Sequence, residues 1–475
     1  MKTKSILILV RANFLILLAF HFHFFPVAFA GDEEAPDPPI SAKAVGAKPS
    51  PDIPGYVSSL PDLGDRYNPL AEAASFDWLL LGLQHRSRFE TLDNFYRVPN
   101  LPTDEGYFAR NLFYLGVREA FDPFRLTVEL EDSRRGSLEF PTNLRQTNHA
   151  DFLQAYIELY FEDAFAGEDA SLMAGRFTIE AVDRRLIARN RFRNSANAFD
   201  GLRLKIGESD SPWAVNLFAT RPVEPRRGDF DDRSRDERTF YGGYASLRGA
   251  SPGFVLEPYY FYLDDERAPG TSRDRSLHTL GAHAYGLIGG GPFDYDLSAA
   301  TQWGDVNGLD HSAFALHGEV GYTFDHAWKP RLAGWVNYAS GDDNPADGDS
   351  GRFSQLFGVS FGAYGLTRYF SWENIINPAV YLSLRPTDSL RVESFLRSYS
   401  LASDTDAWVR TRRRDTTGAS GGHLGEELDF RVRWKASDGI LIDGGVARFF
   451  PGNFVDRTGL SEDSTLVYLQ TTLRF

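Results

Sequence analysis

From Phe76 onward the chain alternates. In 79–90 the odd positions Leu79, Leu81, Leu83 and Phe89 are apolar, while the even positions Gln84, Arg86, Arg88 and Glu90 are polar. A period of two predicts a strand with one greasy and one wet face. The same alternation sets Phe113, Leu115 and Val117 against Arg110, Tyr114 and Arg118. It sets Phe124, Leu126, Val128 and Leu130 against Arg125, Thr127, Glu129 and Glu131, and Leu153, Ala155, Ile157, Leu159 and Phe161 against Gln154, Tyr156 and Glu158. Near the end, Leu428, Phe430, Val432 and Trp434 oppose Glu427, Asp429, Arg431, Arg433 and Lys435. An ionic face is expensive unless it stays wet or paired. Further segments near 168–180, 202–206, 212–220, 239–248, 254–264, 275–287, 293–303, 311–324, 331–340, 376–385, 389–398, 440–450 and 464–475 bring the total to about eighteen strands.

The connections alternate in length. Short ones fall at 120–123, 207–212, 248–253, 289–292, 386–389 and 436–439; long ones fall at 91–107, 133–150, 181–197, 221–238, 341–375, 401–426 and 451–463. Short turns on one rim and long loops on the other predict an all-β, transmembrane antiparallel barrel with short periplasmic turns and long extracellular loops. An even strand number places both ends of the barrel on the inner side. The last segment carries Val467, Leu469, Leu473 and the terminal Phe475 on one face, an ending that suits recognition by the barrel-assembly machinery. Aromatics near segment ends, such as Tyr259, Tyr260, Phe261, Trp303, Trp328, Trp335 and Trp434, are expected to form the interfacial girdles.

The start of the chain reads differently. Lys2, Lys4 and Arg11 precede the apolar run 12–25 and the small-residue site Ala28-Phe29-Ala30, which predicts a signal peptide over 1–30. Residues 31–75 are rich in Pro, Ala and Asp without either periodicity, as in a disordered periplasmic leader. Removing three cations and no acids with the signal segment takes the net charge from −15 to −18, which disfavours nucleic acid as a partner. There is no cysteine, so neither disulfides nor thiolate chemistry is available. Past residue 30 no run of about 18 apolar residues predicts a transmembrane helix.

Against this acidic background one stretch is basic. Residues 175–205 hold Arg176, Arg184, Arg185, Arg189, Arg191, Arg193, Arg203 and Lys205 against only Glu180, Asp183 and Asp200. With Arg86, Arg88, Arg110, Arg118, Arg125, Arg431 and Arg433 on the polar faces, these are the candidate pore-lining residues for an anion. Arginine stays charged and meets a carboxylate with two parallel hydrogen bonds. Interleaved acids, Glu90, Glu129, Glu131, Glu158, Glu393 and Asp429, keep such binding weak enough for release. The alternative is that acids and arginines pair only to brace the wall. A second cluster, Arg410, Arg412, Arg413 and Arg414, has the chemistry to attract anionic polysaccharide or lipopolysaccharide phosphates at the mouth. Asp342, Asp343, Asp347 and Asp349 offer oxygen ligands for Ca²⁺ without the twelve-residue frame and its closing Glu. No cofactor or metal is otherwise expected.

Three blocks make the chain resemble the alginate-export family of outer-membrane porins. The first runs from Ala174-Gly175-Arg176 through Asn190-Arg191 to Phe199-Asp200-Gly201-Leu202-Arg203. The second is Ser340 to Gly348 with Asn374-Ile375. The third is Gly425-Glu426-Glu427-Leu428-Asp429 with Phe449 to Phe454 and Tyr468-Leu469-Gln470. The resemblance spans most of 76–475 and implies an 18-stranded barrel in the bacterial outer membrane, with an arginine-rich constriction that conducts a polyuronate. The expected function is therefore passive, anion-selective conduction of an alginate-like polysaccharide or oligosaccharide, with outer-membrane lipid and periplasmic export components as further partners. Uptake of small anionic solutes and a plugged structural barrel remain open. An outer-membrane barrel enzyme, such as a lipase or protease, is the least favoured alternative, since His149, His278 and His423 accompany no nucleophile motif.

Overall fold

The computed structural model describes residues 78–97, 103–137, 146–208, 211–248, 254–266, 274–344, 346–359 and 361–475; the expected signal segment and leader lie outside them. Eighteen strands, from Leu79–Asp93 to Ser464–Arg474, each pair antiparallel with the next among the described residues. The last pairs with the first, Gln84 opposite Arg474 and Asp93 opposite Thr465, so the sheet closes on itself. Phe475 completes the seam by exchanging backbone hydrogen bonds with Leu83 at 2.9 and 3.0 Å. In hydrocarbon an unpaired backbone N–H or C=O costs several kcal/mol, so closure removes the one edge that lipid does not tolerate. Two short additions, Arg233–Ser234 and Asp349–Ser350, pair onto strand ends at one rim and are not part of the wall.

The rims differ as the loop lengths predict. One carries the connections 94–102, 138–147, 178–198, 225–237, 266–274, 340–374, 401–422 and 452–463; the other has two- to seven-residue turns such as 166–167, 207–212 and 438–439. A single two-residue turn, Asn307-Gly308, sits on the long-loop rim. Both residues have left-handed φ, 58° and 81°, the conformation an Asn-Gly hairpin turn requires.

The barrel is inside out relative to a soluble protein. Leu83, Phe113, Ile157, Leu202, Leu297, Leu316, Val380 and Leu428 are exposed, whereas Arg86, Arg88, Glu158, Glu393, Arg397 and Asp429 are buried in the interior. Pairing makes that burial affordable. Arg331 donates to Asp294 at 3.0 and 2.5 Å and to Glu319 at 2.7 Å, Arg431 forks onto Asp443 at 2.9 and 2.5 Å, and Arg397 pairs with Asp429. The girdle expectation needs correction. Tyr260, Trp303, Trp328 and Trp434 are exposed, but Tyr259 and Phe261 are buried on the lumen side, and Trp335 packs inward against Tyr381 and Phe395. Alternation requires this, because three consecutive aromatics cannot share one face.

An outward charge near mid-height tests the assignment of faces. Leu316→Arg is expected to cost about 2–4 kcal/mol in reversible unfolding from lipid vesicles. A shift within about 0.5 kcal/mol, as for an ordinary surface site, contradicts it.

Candidate functional site: a cationic constriction in the lumen

The basic stretch folds into the barrel, and its own carbonyl groups hold it there. Arg86 donates to the carbonyls of Arg191 and Arg193, the latter at 2.9 Å, and to Asn194 Oδ1 at 3.0 Å. Arg88 donates to the Phe192 carbonyl and lies between the Phe108 and Phe192 rings, 4.7 and 4.0 Å from their centroids. Arg110 reaches the Arg193 carbonyl at 3.4 Å. Asn194 is fully buried: its side-chain NH2 shares its two hydrogens among the carbonyls of Ala109, Arg134 and Gln146, at 2.9–3.1 Å, and its own carbonyl accepts from Ser133. Hydrogen bonds to charged donors are among the stronger ones, about 1.5–3 kcal/mol each, so this ring of anchors fixes the segment.

A second loop meets the first inside the lumen. Ala188 N–H donates to the Phe357 carbonyl at 3.2 Å, Phe357 N–H to Leu186 at 2.9 Å and Val359 N–H to Arg184 at 3.0 Å. Phe192 stacks on Phe361, the planes within 1° of parallel and the centroids 3.3 Å apart. Arg368 from this loop pairs with Glu90 at 2.8 Å, and Arg352 pairs with Asp406. Sequence reasoning missed this loop. The signal was present: 353–372 carries Phe353, Phe357, Phe361, Tyr364, Tyr369, Phe370 and Trp372, an aromatic content at odds with a solvated outer loop.

The predicted site residues therefore separate into groups. Arg184, Arg189, Arg191 and Arg193 remain half-buried in the inward segment. Arg189 pairs with Glu129 at 2.7 Å and Arg191 with Glu180 at 2.8 Å. Burial alone raises the Glu180 carboxyl, but Arg191 and Arg184 outweigh it and hold it down at about 2. A carboxyl depressed in the folded state stabilises it above the ordinary 4.5 and loses that contribution only as pH falls toward 2, so the pair persists at neutral pH. Arg185 is buried against Asp183, Asn337 and Tyr364. Arg86, Arg88 and Arg110 anchor the loop. Arg118, Arg203, Lys205, Arg431 and Arg433 belong to the inner wall, Arg203 donating to Asn216 at 2.8 Å and Arg433 to Glu393 at 2.6 Å. Arg125 sits at the short-turn rim on Asp122, over the Tyr160 ring.

Arg176 departs from the expectation. It stands opposite Asp200 in register and shares the parity of exposed Leu172 and Leu202, so the pair lies on the outer face at 2.7 and 3.1 Å rather than in the lumen. In the second basic cluster, Arg413 stacks over Tyr96 and Arg414 lies 3.7 Å from Asp342, which draws this acid of the glycine-rich loop into an ion pair.

A family model for alginate export matches residues 77–468. The chain belongs to the alginate export family. This alginate-export barrel is also similar in fold to the Pseudomonas aeruginosa proteins OccK8 (OprE), at 14% identity and TM-score 0.54 over 84% of this chain and 98% of that one, and OpdK with vanillate, at 11%, 0.56, 84% and 98%. The P. aeruginosa outer membrane protein OprD gives 10%, 0.53, 84% and 93%. No curated protein matches the sequence. Closed wall, inverted polarity and family together make this a porin-type barrel of the bacterial outer membrane.

The two lumen loops are in tight contact at Gly358, where a Cβ would lie 1.8 Å from the Arg185 carbonyl oxygen. Gly358→Val is expected to push them apart at a cost of about 1–3 kcal/mol and to raise single-channel conductance. Unchanged conductance in planar bilayers contradicts the paired-loop constriction.

Proposed function

We propose that the barrel passively conducts an anionic polysaccharide or oligosaccharide, an alginate-like polyuronate, past the arginines of the inward 178–198 segment. The observation that carries this reading is the imbalance of charge at the constriction. The segment brings Arg184, Arg185, Arg189, Arg191 and Arg193 into the lumen with Glu180 and Asp183 alone as its own acids. A polyuronate carries a carboxylate on each sugar and cannot enter hydrocarbon; it needs a wet path whose cations replace part of its hydration. Guanidinium groups supply that, and Glu129 and Glu180 on Arg189 and Arg191 keep each contact exchangeable. On this reading the barrel is a conduit rather than an enzyme, and the residues bind and release without making or breaking covalent bonds.

A second reading rests on the stacked Phe192 and Phe361 beside Arg88 and Arg431, whose guanidinium carbon is 5.3 Å from the Phe361 ring centroid. Aromatic faces next to guanidiniums suit a small aromatic carboxylate, and the fold relative OpdK was crystallised with vanillate.

Planar-bilayer recording decides between them. Wild-type channels are expected to prefer anions, and replacing Arg184, Arg189, Arg191 and Arg193 by Ser together is expected to lower the anion-to-cation permeability ratio on the order of tenfold. Oligouronates should block the current more strongly as chain length grows. Block by aromatic monocarboxylates with no effect of oligouronates favours the second reading, and a cation-selective wild-type channel overturns both.

A further inference from the structure

Apart from the constriction, one acidic cavity lies at the long-loop end of the wall. Strands Phe124–Ser137 and Asn148–Phe165 set Glu131 directly opposite Asp151, and the 225–237 loop folds over them to bring in Asp231 and Asp232. Carboxylate oxygens of Asp151, Asp231 and Asp232 lie within 4.8 Å of one another. Glu131, Asn148, Asp151 and Asp232 line a cavity of about 10 Å³, closed on its other side by apolar residues that include Ala196 and Ala198 from the constriction segment. Like charges facing each other across a strand pair repel, and an apolar wall strengthens the repulsion.

Three oxygens here lack hydrogen-bond partners, one of them Asp231 Oδ1. Glu131 is only 2% exposed; its Oε1 accepts from Ala196 N–H at 3.3 Å, while its Oε2 has no donor and, among the described residues, no cation within 4.0 Å. Asn148 is 4% exposed; its Nδ2 donates to Asp232 Oδ2 at 2.7 Å, while its Oδ1 has no donor. The nearest guanidinium, Arg176, is 3.6 Å from Asp151 but forks onto Asp200. Asp232 is otherwise tied by Arg226 N–H, and its own N–H donates to Asp151 at 2.8 Å, so the loop is drawn onto the acids rather than away from them.

We propose that this cavity is a Ca²⁺ site that fastens the 225–237 loop to the wall beside the constriction. The donors are all oxygen, from the four carboxylates Glu131, Asp151, Asp231 and Asp232 and the Asn148 amide, which is the hard set Ca²⁺ takes, with water completing six to eight ligands. The long-loop rim faces the cell exterior, where sites with dissociation constants of about 10⁻⁴–10⁻³ M are filled.

The test uses the folded full-length barrel in detergent after chelation, titrated with CaCl₂ alone by calorimetry, with limited trypsin digestion at the exposed Arg226 and Arg227 as a second readout. One site in the range of about 10⁻⁴–10⁻³ M is expected, with cleavage slowed at least about tenfold when it is filled. Asp231→Asn, in the loop and outside the wall, should weaken binding at least about tenfold while heat-shifted gel mobility still reports a folded barrel; Asp347→Asn should change nothing. No saturable heat up to about 10 mM CaCl₂ on the unaltered protein, or binding unchanged in Asp231→Asn, overturns the proposal.

Discussion

A backbone placed in hydrocarbon has no water to turn to, and the rest of this structure follows from that constraint. The wall's backbone pairs strand to strand around the whole circuit because the eighteenth strand returns to the first, down to the reciprocal bonds between Phe475 and Leu83. Once the sheet is closed, alternation leaves no freedom. Leucines and phenylalanines at one parity meet lipid, and arginines and carboxylates at the other are confined to a narrow interior. There they cannot remain isolated, because an unpaired buried charge costs several kcal/mol. The ladders Arg331–Asp294–Glu319, Arg431–Asp443 and Arg433–Glu393 meet that cost within the wall.

The same requirement draws the loops inward. Arg86, Arg88 and Arg110 sit where wall acids do not absorb all their donors, and the carbonyls of 191–193 supply the missing acceptors. An inner wall rich in guanidinium thus recruits a segment that is itself rich in guanidinium, through its backbone rather than its side chains. The consequence is a division of labour among residues that look alike: buried arginines position the segment, and half-buried ones on that segment are the groups proposed to meet a passing anion. The aromatic second loop locks the arrangement through the Phe192–Phe361 stack and the backbone pairing of 184–188 with 357–359.

Most of the wall is legible in the residues themselves, since a period of two over ten positions survives any choice of turn. That pattern shows which face is ionic and brings the strand count to about eighteen, while the barrel reading needed the alternation of short and long connections as well. Less was legible where side chains act through the backbone of another segment. Nothing local marks Arg86 as an anchor for residues 191–193 about a hundred positions away. Arg176 looked like part of the basic cluster because proximity in sequence hides parity; two residues beyond Ala174, it shares the outer face. The Tyr259–Phe261 run shows the reverse error, in which composition was weighed above alternation. Acids far apart in sequence, such as Glu131, Asp151 and Asp232, meet only through register and loop folding, which the linear pattern does not encode.

If ions pass residues 178–198 on their way through the barrel, a charged label placed there must change the current. Since the chain has no cysteine, Arg191→Cys gives a single thiol that can be modified by a negatively charged methanethiosulfonate during single-channel recording. A stepwise drop in current with weakened anion preference is the predicted result. Complete modification, verified by mass, with current and selectivity unchanged would place residues 178–198 off the conducting path.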